Sequence, residues 1–464
     1  MQSKKSSLGR RLQGLLCTFF LTFAAGAAAQ PLALDKAPVA VDRENRLGII
    51  VELSLNFVPE GNLPSQAAMA AQRATIEHTQ TAVLNRLKGH DIAGVHRFQY
   101  VPFLSMYASG AAIKALERTP GVAAVHLDRW NEPALAESIP LIGADASGNA
   151  GSTAAVAVLD SGIDSGHIHL WGLRASEACY STNEDNPSTT GVDFTSLCPG
   201  GVTEATGTGT GEPCTGMSIC SHGTHIAGIA AGGNLTGGAY QGVALAARLI
   251  SIKIYSKGNT AFACYPGAPP CLRGKTSDEI KGLERVLWLH YNDPAFSYYH
   301  IAAVNMSFGS GKFTSNCDSE PYKLPIDNLR AAGIASVVAS GNNGYTNGIG
   351  SPACVSTAIS VGNTTKLDAV YSTSNSASFL NLLAPGTSIY SPSFPGGGYS
   401  FQTGTSFAAP HVAGAFAQLK HENPSATVTQ MLNALTSTGV SILDTRNGIT
   451  KPRIQVDAAV AALP

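Results

Sequence analysis

The sequence predicts a doubly wound α/β domain, with a mostly parallel sheet and helices on both faces, preceded by a small α+β unit. From Ala154 onward, runs that are nearly continuous in Val, Ile and Ala alternate with stretches of helical composition. Such runs are typical of parallel strands buried on both faces. The 464 residues are 44% hydrophobic and 13% charged, which suits a large core. The net charge of −1 gives no broad field that would attract nucleic acid or an anionic membrane.

The first 29 residues have the pattern of a secretory signal peptide. Basic residues lie between Lys4 and Arg11, an apolar stretch runs from Leu12 to Ala25, and three alanines end at Ala29. A short apolar stretch that ends in small residues favours a cleaved signal over a permanent membrane anchor. We expect cleavage after Ala29 and a secreted protein, extracellular or, in a Gram-negative host, periplasmic.

Residues 47–127 predict a separate small unit. The runs "LGIIVELSL", "VHRFQY", "FLSMYA" and "VAAVHL" predict strands, and two stretches of helical composition lie between them. The first helix has Pro64 at its start and Gly89 just past its end, and the second stops at Pro120. The order βαββαβ predicts a ferredoxin-like unit. The next stretch, "RWNEPALAESIP", predicts an exposed connection, so we divide the chain into residues 30–135 and 136–464.

The main domain is predicted from four apolar runs: "AAVAVLD", "RLISIKIY", "IAAVNMSFG" and "IASVVASGN". Between the second and third runs, "KTSDEIKGLERVLWL" predicts a crossover helix, with Thr276 and Glu279 spaced as a capping box. In doubly wound sheets, functional sites gather beyond the carboxyl ends of the strands.

Cysteine usage agrees with export. Cys17 lies in the signal peptide, and the eight other cysteines are an even number in an oxidising compartment, which favours disulfides. A zinc site is the alternative, but two-cysteine knuckles at the needed spacing are absent from the sequence. Short separations favour two local loops and leave two longer pairs: Cys214–Cys220, Cys264–Cys271, Cys179–Cys198 and Cys317–Cys354.

Three polar residues stand at predicted element ends. Asp160 ends "AAVAVLD", His222 opens "HGTHIAG", and Ser406 opens "SFAAPHVAGAFAQL". A serine hydroxyl becomes a good nucleophile when an imidazole takes its proton, and a carboxylate orients that imidazole. Each residue alone is more often a turn or cap residue, but together they predict a Ser–His–Asp hydrolytic site. His411 is nearer to Ser406 in sequence, but residues i and i+5 of a helix do not share a face.

The segments "DSGID", "HGTHIAG" and "GTSFAAPHVAG" resemble the three signature segments of the subtilisin-like serine peptidases, the subtilases. The resemblance extends from about Ile139 to the C-terminus. It implies that Asp160 is the orienting acid, His222 the general base and Ser406 the nucleophile. It also implies an oxyanion donor in "VVASGNNG" at Asn342, with the backbone N–H of Ser406 as the second donor. Asn343 remains a rival for this role, or a loop residue.

The segment "NMSFG" resembles the family segment that pairs with an extended peptide substrate. Small, uncharged residues imply a roomy first specificity pocket and a preference for large apolar residues before the scissile bond, although ordinary turn chemistry also explains the glycines. The residues implied in substrate binding are Ser307, Phe308, Gly309, Ser340, Gly341 and Gly350.

The chain departs from the family in two insertions and at one metal site. The first insertion lies between Asp160 and His222, and its run "GTGTGEPCTG" lacks the strand, helix and lysine of a phosphate loop, so a disulfide-closed surface loop is favoured. The second, "FACYPGAPPC", is expected to border the substrate groove. His169 stands where many members have a calcium-binding aspartate, and calcium prefers oxygen ligands. We expect this calcium site to be absent and no cofactor to be required for catalysis.

The βαββαβ unit resembles the subtilase propeptide, which implies an intramolecular inhibitor cut off by the enzyme itself between Arg129 and Glu137. The leading hypothesis is therefore a secreted, self-processed, monomeric serine endopeptidase acting on proteins or peptides. One alternative is a non-catalytic binding protein on the same scaffold. Another is a serine-carboxyl peptidase, but that family uses a glutamate base, and "HGTH" argues against it.

Overall fold

The computed structural model describes residues 40–42, 44–128, 130–133, 140–145, 147–185, 191–233 and 241–464. The predicted signal peptide lies outside these residues. Within them, none of the helices combines the length and apolar character needed to cross a membrane.

The N-terminal unit is a four-stranded antiparallel sheet with two helices. Its elements are β1 (Leu47–Leu53), α1 (Gln66–Arg86), β2 (Ile92–Arg97), β3 (Phe103–Ala108), α2 (Gly110–Leu116) and β4 (Val122–Leu127). The sheet order β2-β3-β1-β4 and the βαββαβ sequence confirm the ferredoxin-like prediction. Alternate residues of β1, Ile49 and Val51, join Val83 of α1 and Leu104 of β3 in a core of their own.

A short strand, β5 (Trp130–Pro133), follows where the sequence predicted an exposed connection. Its backbone pairs with a strand of the main domain on each side. The sequence analysis did not predict a strand in these four residues, because the partners that make them a strand come from distant parts of the chain.

The main domain contains a long series of strands and six helices among the described residues. The strands are β6 (Ala154–Asp160), β7 (Arg174–Tyr180), β8 (Phe194–Ser196), β9 (Glu204–Thr206), β10 (Arg248–Lys253), β11 (Tyr255–Gly258), β12 (Cys271–Lys275), β13 (His300–Met306), β14 (Phe308–Phe313), β15 (Ala335–Ala339), β16 (Ile349–Ser351), β17 (Ile359–Thr364), β18 (Leu382–Pro385), β19 (Thr387–Pro392), β20 (Tyr399–Thr403), β21 (Val440–Asp444) and β22 (Ile449–Arg453). The helices are α3 (His222–Ala231), α4 (Thr276–Asn292), α5 (Lys323–Ala331), α6 (Thr405–Glu422), α7 (Val428–Thr438) and α8 (Val456–Ala461).

The central sheet has the order β21-β22-β18-β17-β15-β13-β6-β10-β7-β9 over the described part of the chain. The strands from β22 to β7 are parallel, and β21 and β9 are antiparallel edges. Every residue of β6 is buried, which accounts for its unbroken apolar run. The chain continues to β7 and β10 on one side of β6 and then to β13 on the other, so the carboxyl end of β6 is a switch point where sites form.

Two helices, α3 and α6, pack closely at this switch point. All of α3 is buried, and α6 is buried from Thr405 to Lys420, as expected for helices that are apolar on every side. A Cβ at Gly414 would lie 2.6 Å from the carbonyl oxygen of Ala230, so glycine permits the close approach of the two helices. Their N-termini thereby meet the end of β6.

The start of α4 differs from the prediction. Thr276 is the first helical residue rather than the cap, and the capping residue Lys275 makes no side-chain cap. Instead, Asp128, just after β4 of the N-terminal unit, accepts a hydrogen bond of 2.8 Å from the Ser277 backbone N–H. The predicted capping box was wrong because β12 runs directly into α4, and the N-terminal unit supplies the cap.

Four disulfides link the described cysteines in the pairs that the sequence favoured. One closes the loop just before α3, and another closes the loop just before β12. The pairs are Cys179–Cys198, Cys214–Cys220, Cys264–Cys271 and Cys317–Cys354.

Candidate active site

The carboxyl end of β6 and the starts of α3 and α6 bring Asp160, His222 and Ser406 to one edge of the sheet. Asp160 ends β6, His222 begins α3, and Ser406 is the second residue of α6; all three are buried. The Nδ1 atom of His222 donates to both carboxylate oxygens of Asp160 at 2.8 Å. Because Nδ1 carries the proton, Nε2 is the basic nitrogen of the neutral ring. The Phe407 ring, next to Ser406, packs edge-on against His222 with centroids 5.2 Å apart.

Ser161 ties this acid–imidazole pair to the surrounding backbone, and the sequence analysis missed it. Its N–H donates to the Asp160 carboxylate at 2.7 Å. Its hydroxyl accepts from the Gly223 N–H at 3.0 Å and donates to the Cys220 carbonyl at 3.1 Å. The carboxylate, the start of α3 and the Cys214–Cys220 loop are thus fixed by one side chain. The only signal in the sequence is its place in "DSGID".

The Ser406 hydroxyl lies against Ser307, one of the predicted substrate-binding residues. It donates to the Ser307 carbonyl at 2.8 Å, and the Ser307 hydroxyl donates back to the Ser406 carbonyl at 2.6 Å. Asn305 in turn donates to the Ser307 hydroxyl at 2.8 Å. The one proton of the Ser406 hydroxyl is thus directed to a backbone carbonyl. The hydrogen bond between a nucleophile and its base often tightens only when substrate is bound.

The side chain of Asn342 is held against the start of α6. Its Oδ1 accepts from the Thr405 backbone N–H at 2.8 Å, while Thr405 Oγ1 accepts from the Gly341 N–H at 3.1 Å. A backbone N–H can only donate, so the atom of Asn342 that accepts this bond is its amide oxygen. The NH₂ group of the same side chain is then the end that can donate a hydrogen bond near Ser406. The side chain of Asn343 is exposed and accepts from Asn375 instead.

Asn375 organises the loop that carries Asn342, although nothing in its local sequence distinguishes it from an ordinary loop asparagine. It is fully buried, and its amide group donates to the Ser340 carbonyl at 3.0 Å. Its Oδ1 accepts from the backbone N–H groups of Asn343 and Tyr345, both at 3.0 Å. A Cβ at Gly341, where φ is +104°, would lie 2.4 Å from the Asn375 amide nitrogen, so this position requires glycine.

A second sheet forms a groove beside these residues. Its order is β16-β14-β5-β12-β11-β8, and β5 of the N-terminal segment lies between β14 and β12, antiparallel to both. Gly309 pairs with Glu132 and Phe308 with Pro133. An extended piece of this chain thus pairs with the segment that the sequence implied in peptide binding. The strand on the other side of β5, β12, contains no recognisable motif, and the sequence analysis did not predict its place beside β5.

The remaining predicted substrate residues lie next to β14. The Gly350 N–H donates to the Ser340 carbonyl at 3.0 Å, and the Ser340 hydroxyl donates to the Asn375 carbonyl at 2.9 Å. A Cβ at Gly309 would lie 2.7 Å from the Ser351 carbonyl oxygen. These small residues therefore permit close backbone contacts around β14 and β16.

Two further histidines near the site are neutral and engaged elsewhere. Burial lowers the pKa of His225 to about 3, and its Nε2 hydrogen-bonds the Ser400 hydroxyl at 2.7 Å. Burial lowers the pKa of His411 to about 4, and its Nδ1 donates to the Phe407 carbonyl at 2.6 Å. His411 therefore hydrogen-bonds the backbone of its own helix. The five-residue spacing predicted that it would not share a helix face with Ser406.

The His169 side chain is buried and donates from Nδ1 to the Gly233 carbonyl. In the part of the chain that the structure describes, three or more His, Cys, Asp or Glu side chains do not gather into a group that could hold a metal ion. The loop that follows α3, residues 234–240, lies outside that part. The absence of the usual calcium site remains a prediction.

Residues 151–453 match the profile of the Subtilase family. Among curated proteins, the chain is 30% identical over 370 residues to an alkaline protease of Shouchella clausii, covering 78% of this chain and 80% of the relative. It is 32% identical over 352 residues to subtilisin E of Bacillus subtilis (strain 168), covering 74% and 76%. It is also 32% identical over 294 residues to a subtilisin of Bacillus pumilus, covering 63% and 85%.

The packing of Phe407 against His222 predicts resistance to peroxide. Phenylalanine has no sulfur, whereas a methionine here could become a polar sulfoxide beside the imidazole. Phe407→Met should therefore lose peptidase activity faster than wild type during exposure to hydrogen peroxide, as measured by residual activity against time. Equal rates of inactivation for the two proteins would contradict this prediction.

Proposed function

Because this chain belongs to the subtilase family and is therefore a serine endopeptidase, we propose that Asp160, His222 and Ser406 are its catalytic triad. The observation that carries the proposal is the pair of hydrogen bonds from His222 Nδ1 to the Asp160 carboxylate, which leave Nε2 as the base. Ser406 attacks the peptide carbonyl as His222 takes its proton. His222 then protonates the leaving amine, and water hydrolyses the acyl-enzyme by the same route.

The oxyanion of each tetrahedral intermediate is stabilised by the Asn342 amide and the Ser406 backbone N–H. Two features support this role: the engaged Oδ1 of Asn342, and the position of Ser406 at the start of α6. Free N–H groups at a helix start carry partial positive charge, which favours a developing anion.

The two neighbouring asparagines allow a matched test of the oxyanion donor. Asn342→Ala should lower kcat on a peptide amide by about 10²- to 10³-fold, the usual cost of removing such a donor. Asn343→Ala, at an exposed neighbouring position, should keep near wild-type turnover. Near-full turnover of Asn342→Ala, or a larger loss in Asn343→Ala, would reject the assignment.

Residues 30–135 are proposed to be an intramolecular inhibitor and folding aid. The described contacts with the main domain are specific. Asn328 of α5 accepts from the Glu60 N–H and donates to the Tyr100 carbonyl, each at 2.7 Å, and Glu284 of α4 accepts from the Tyr100 N–H at 2.9 Å. Side chains of the main domain thus provide hydrogen-bond partners for backbone N–H and C=O groups of the N-terminal unit. Contacts of this kind are expected between two parts of a protein that recognise each other specifically.

The pairing of β5 supports self-cleavage just beyond Pro133. Pro133 pairs with Phe308, and the preceding residue of the main domain, Ser307, bonds the Ser406 hydroxyl. The last paired residue of β5 is therefore one position away from the residue that contacts the proposed nucleophile. Cleavage at this point lies inside the predicted interval from Arg129 to Glu137.

Self-processing predicts the fate of an inactive variant. Ser406→Ala, which lacks the nucleophile, should be exported and should stay joined to residues 30–135. Wild type should yield a mature N-terminus within a few residues after Pro133. Intact mass and N-terminal sequencing of the exported proteins measure both outcomes. Normal processing of Ser406→Ala would instead indicate another protease.

The location, oligomeric state and cofactor requirement proposed for the enzyme rest on the sequence pattern. Residues 1–29 are proposed as the signal and residues 136–464 as a secreted, monomeric catalytic domain without a cofactor. Its relatives include enzymes named alkaline proteases, and a neutral-to-alkaline optimum is proposed here as well. We further propose that its partners are protein or peptide substrates.

The first specificity pocket is proposed to prefer large apolar or aromatic residues, because Gly309, Ser340 and Gly350 are small and uncharged. In a peptide library varied at the residue before the scissile bond, mature enzyme should favour Phe, Tyr or Leu over Arg and Lys. A strong preference for Arg or Lys would refute this proposal.

A further inference from the structure

The loop that carries Asn342, residues 341–348, is joined by its backbone to a second loop, residues 372–376. Four backbone hydrogen bonds of 2.8–2.9 Å connect the two loops: Gly344 N–H to the Thr373 carbonyl, Gly348 N–H to Ser376, Asn375 N–H to Gly341, and Ser376 N–H to Tyr345. Because these bonds run in both directions and extend over the whole first loop, the two loops form one connected unit.

Asn375 lies in the middle of this unit and uses the full hydrogen-bonding capacity of its side-chain amide. Its Oδ1 accepts from the backbone N–H groups of Asn343 and Tyr345, and its Nδ2 donates to the Ser340 carbonyl. The Nδ2 group also donates to Oδ1 of Asn343 at 3.3 Å. An amide side chain has two donor hydrogens and two acceptor lone pairs, and all four are engaged here. These bonds hold the chain on both sides of Asn342.

The turn between β21 and β22, near the C-terminus, contacts both loops at the same place. The Nδ2 group of Asn447 donates to the Thr346 carbonyl at 2.7 Å and to the Ser376 hydroxyl at 3.0 Å. Thr346 is next to Tyr345 in the first loop, and Ser376 is next to Asn375 in the second. Asn447 therefore bridges the two loops beside the hydrogen bond from the Tyr345 N–H to Asn375.

The proposed oxyanion donor depends on this backbone for its position. The side chain of Asn342 is tied to α6 by one hydrogen bond, from the Thr405 N–H to its Oδ1. The position of its Cα is set by the two joined loops. A donor stabilises an oxyanion only when it is aimed at the place where the charge develops, and a misplacement of about 1 Å can lower a rate about 100-fold.

We propose that Asn375 is a positioning residue for the oxyanion donor and that Asn447 supports it from the C-terminal turn. The inference rests on the proposed function, because both residues act through Asn342 and not by contact with substrate. It makes the hairpin of β21 and β22, which contains none of the proposed catalytic residues, a determinant of turnover.

The test measures kcat, KM and the Tm of the mature enzyme and its variants, with a peptide amide as substrate. Asn375→Ala should lower kcat about 10- to 100-fold and leave KM within about twofold of wild type, because a misplaced oxyanion donor weakens binding of the transition state and not of the substrate. Asn447→Ala removes only the outer support and should lower kcat about 3- to 10-fold. An unchanged kcat in Asn375→Ala would overturn the inference, and an unchanged kcat in Asn447→Ala would overturn the role of the turn.

A double-mutant cycle shows whether the effect passes through Asn342. In an Asn342→Ala background, the further change Asn375→Ala should lower kcat less than about threefold, since the donor that it positions is already absent. Losses that multiply in full would overturn positioning through Asn342. Near-full turnover of Asn342→Ala alone would instead reject the proposed oxyanion role. If Asn375→Ala does not fold, the same cycle is run with Asn447→Ala, at a half-buried turn position.

Asn381 provides a matched structural control. It is a loop asparagine whose Oδ1 accepts from the Ser360 backbone N–H at 2.9 Å and from the Ser360 hydroxyl at 2.8 Å. Asn381→Ala should therefore lower the Tm but keep the wild-type kcat. A loss of kcat equal to that in Asn375→Ala would show that general loosening of the structure lowers turnover, and this result would overturn the inference.

Discussion

A buried carboxylate, that of Asp160, is the constraint on which the site depends. Burial of a charge is costly unless hydrogen bonds replace its water, and Asp160 is fully buried at the end of β6. The Ser161 N–H and the His222 imidazole provide those bonds. Satisfying the carboxylate therefore fixes which ring nitrogen carries the proton and where α3 must begin. The close contact of α3 with α6 at Gly414 then brings Ser406 to the same edge.

The N-terminal unit provides a helix cap and a strand that the main domain does not provide for itself. It supplies Asp128 as the cap of α4, and β5 fills the gap between β14 and β12. Open strand edges invite pairing with another extended chain. If a peptide substrate uses the edges that β5 occupies, as proposed, then the proposed inhibition by the unit and the recognition of a substrate would depend on the same backbone hydrogen bonds.

Much of this fold could be predicted because its signals are local. The unbroken apolar run of β6, the βαββαβ order and the short cysteine separations are all visible within a few residues of sequence. The candidate triad was found because Asp160, His222 and Ser406 each stand in a distinctive segment. By contrast, β5 becomes a strand only through partners more than 130 residues away, and Asn375 gains its place through contacts with Gly341 and Asn343. A residue whose role depends on contacts with distant parts of the chain has no recognisable pattern in the sequence around it.

The two insertions show how additions to a fold can act at its functional edge. The first is tied to the buried carboxylate, because Ser161 bonds Cys220 within the Cys214–Cys220 loop. The second is tied to the groove wall, because Arg273 of β12 bonds carbonyls of the Cys264–Cys271 loop. A covalent ring limits the conformations that a loop can adopt. Both loops therefore stiffen elements beside the residues proposed to react, where small displacements matter most. Insertions placed elsewhere on the surface would leave these elements unaltered.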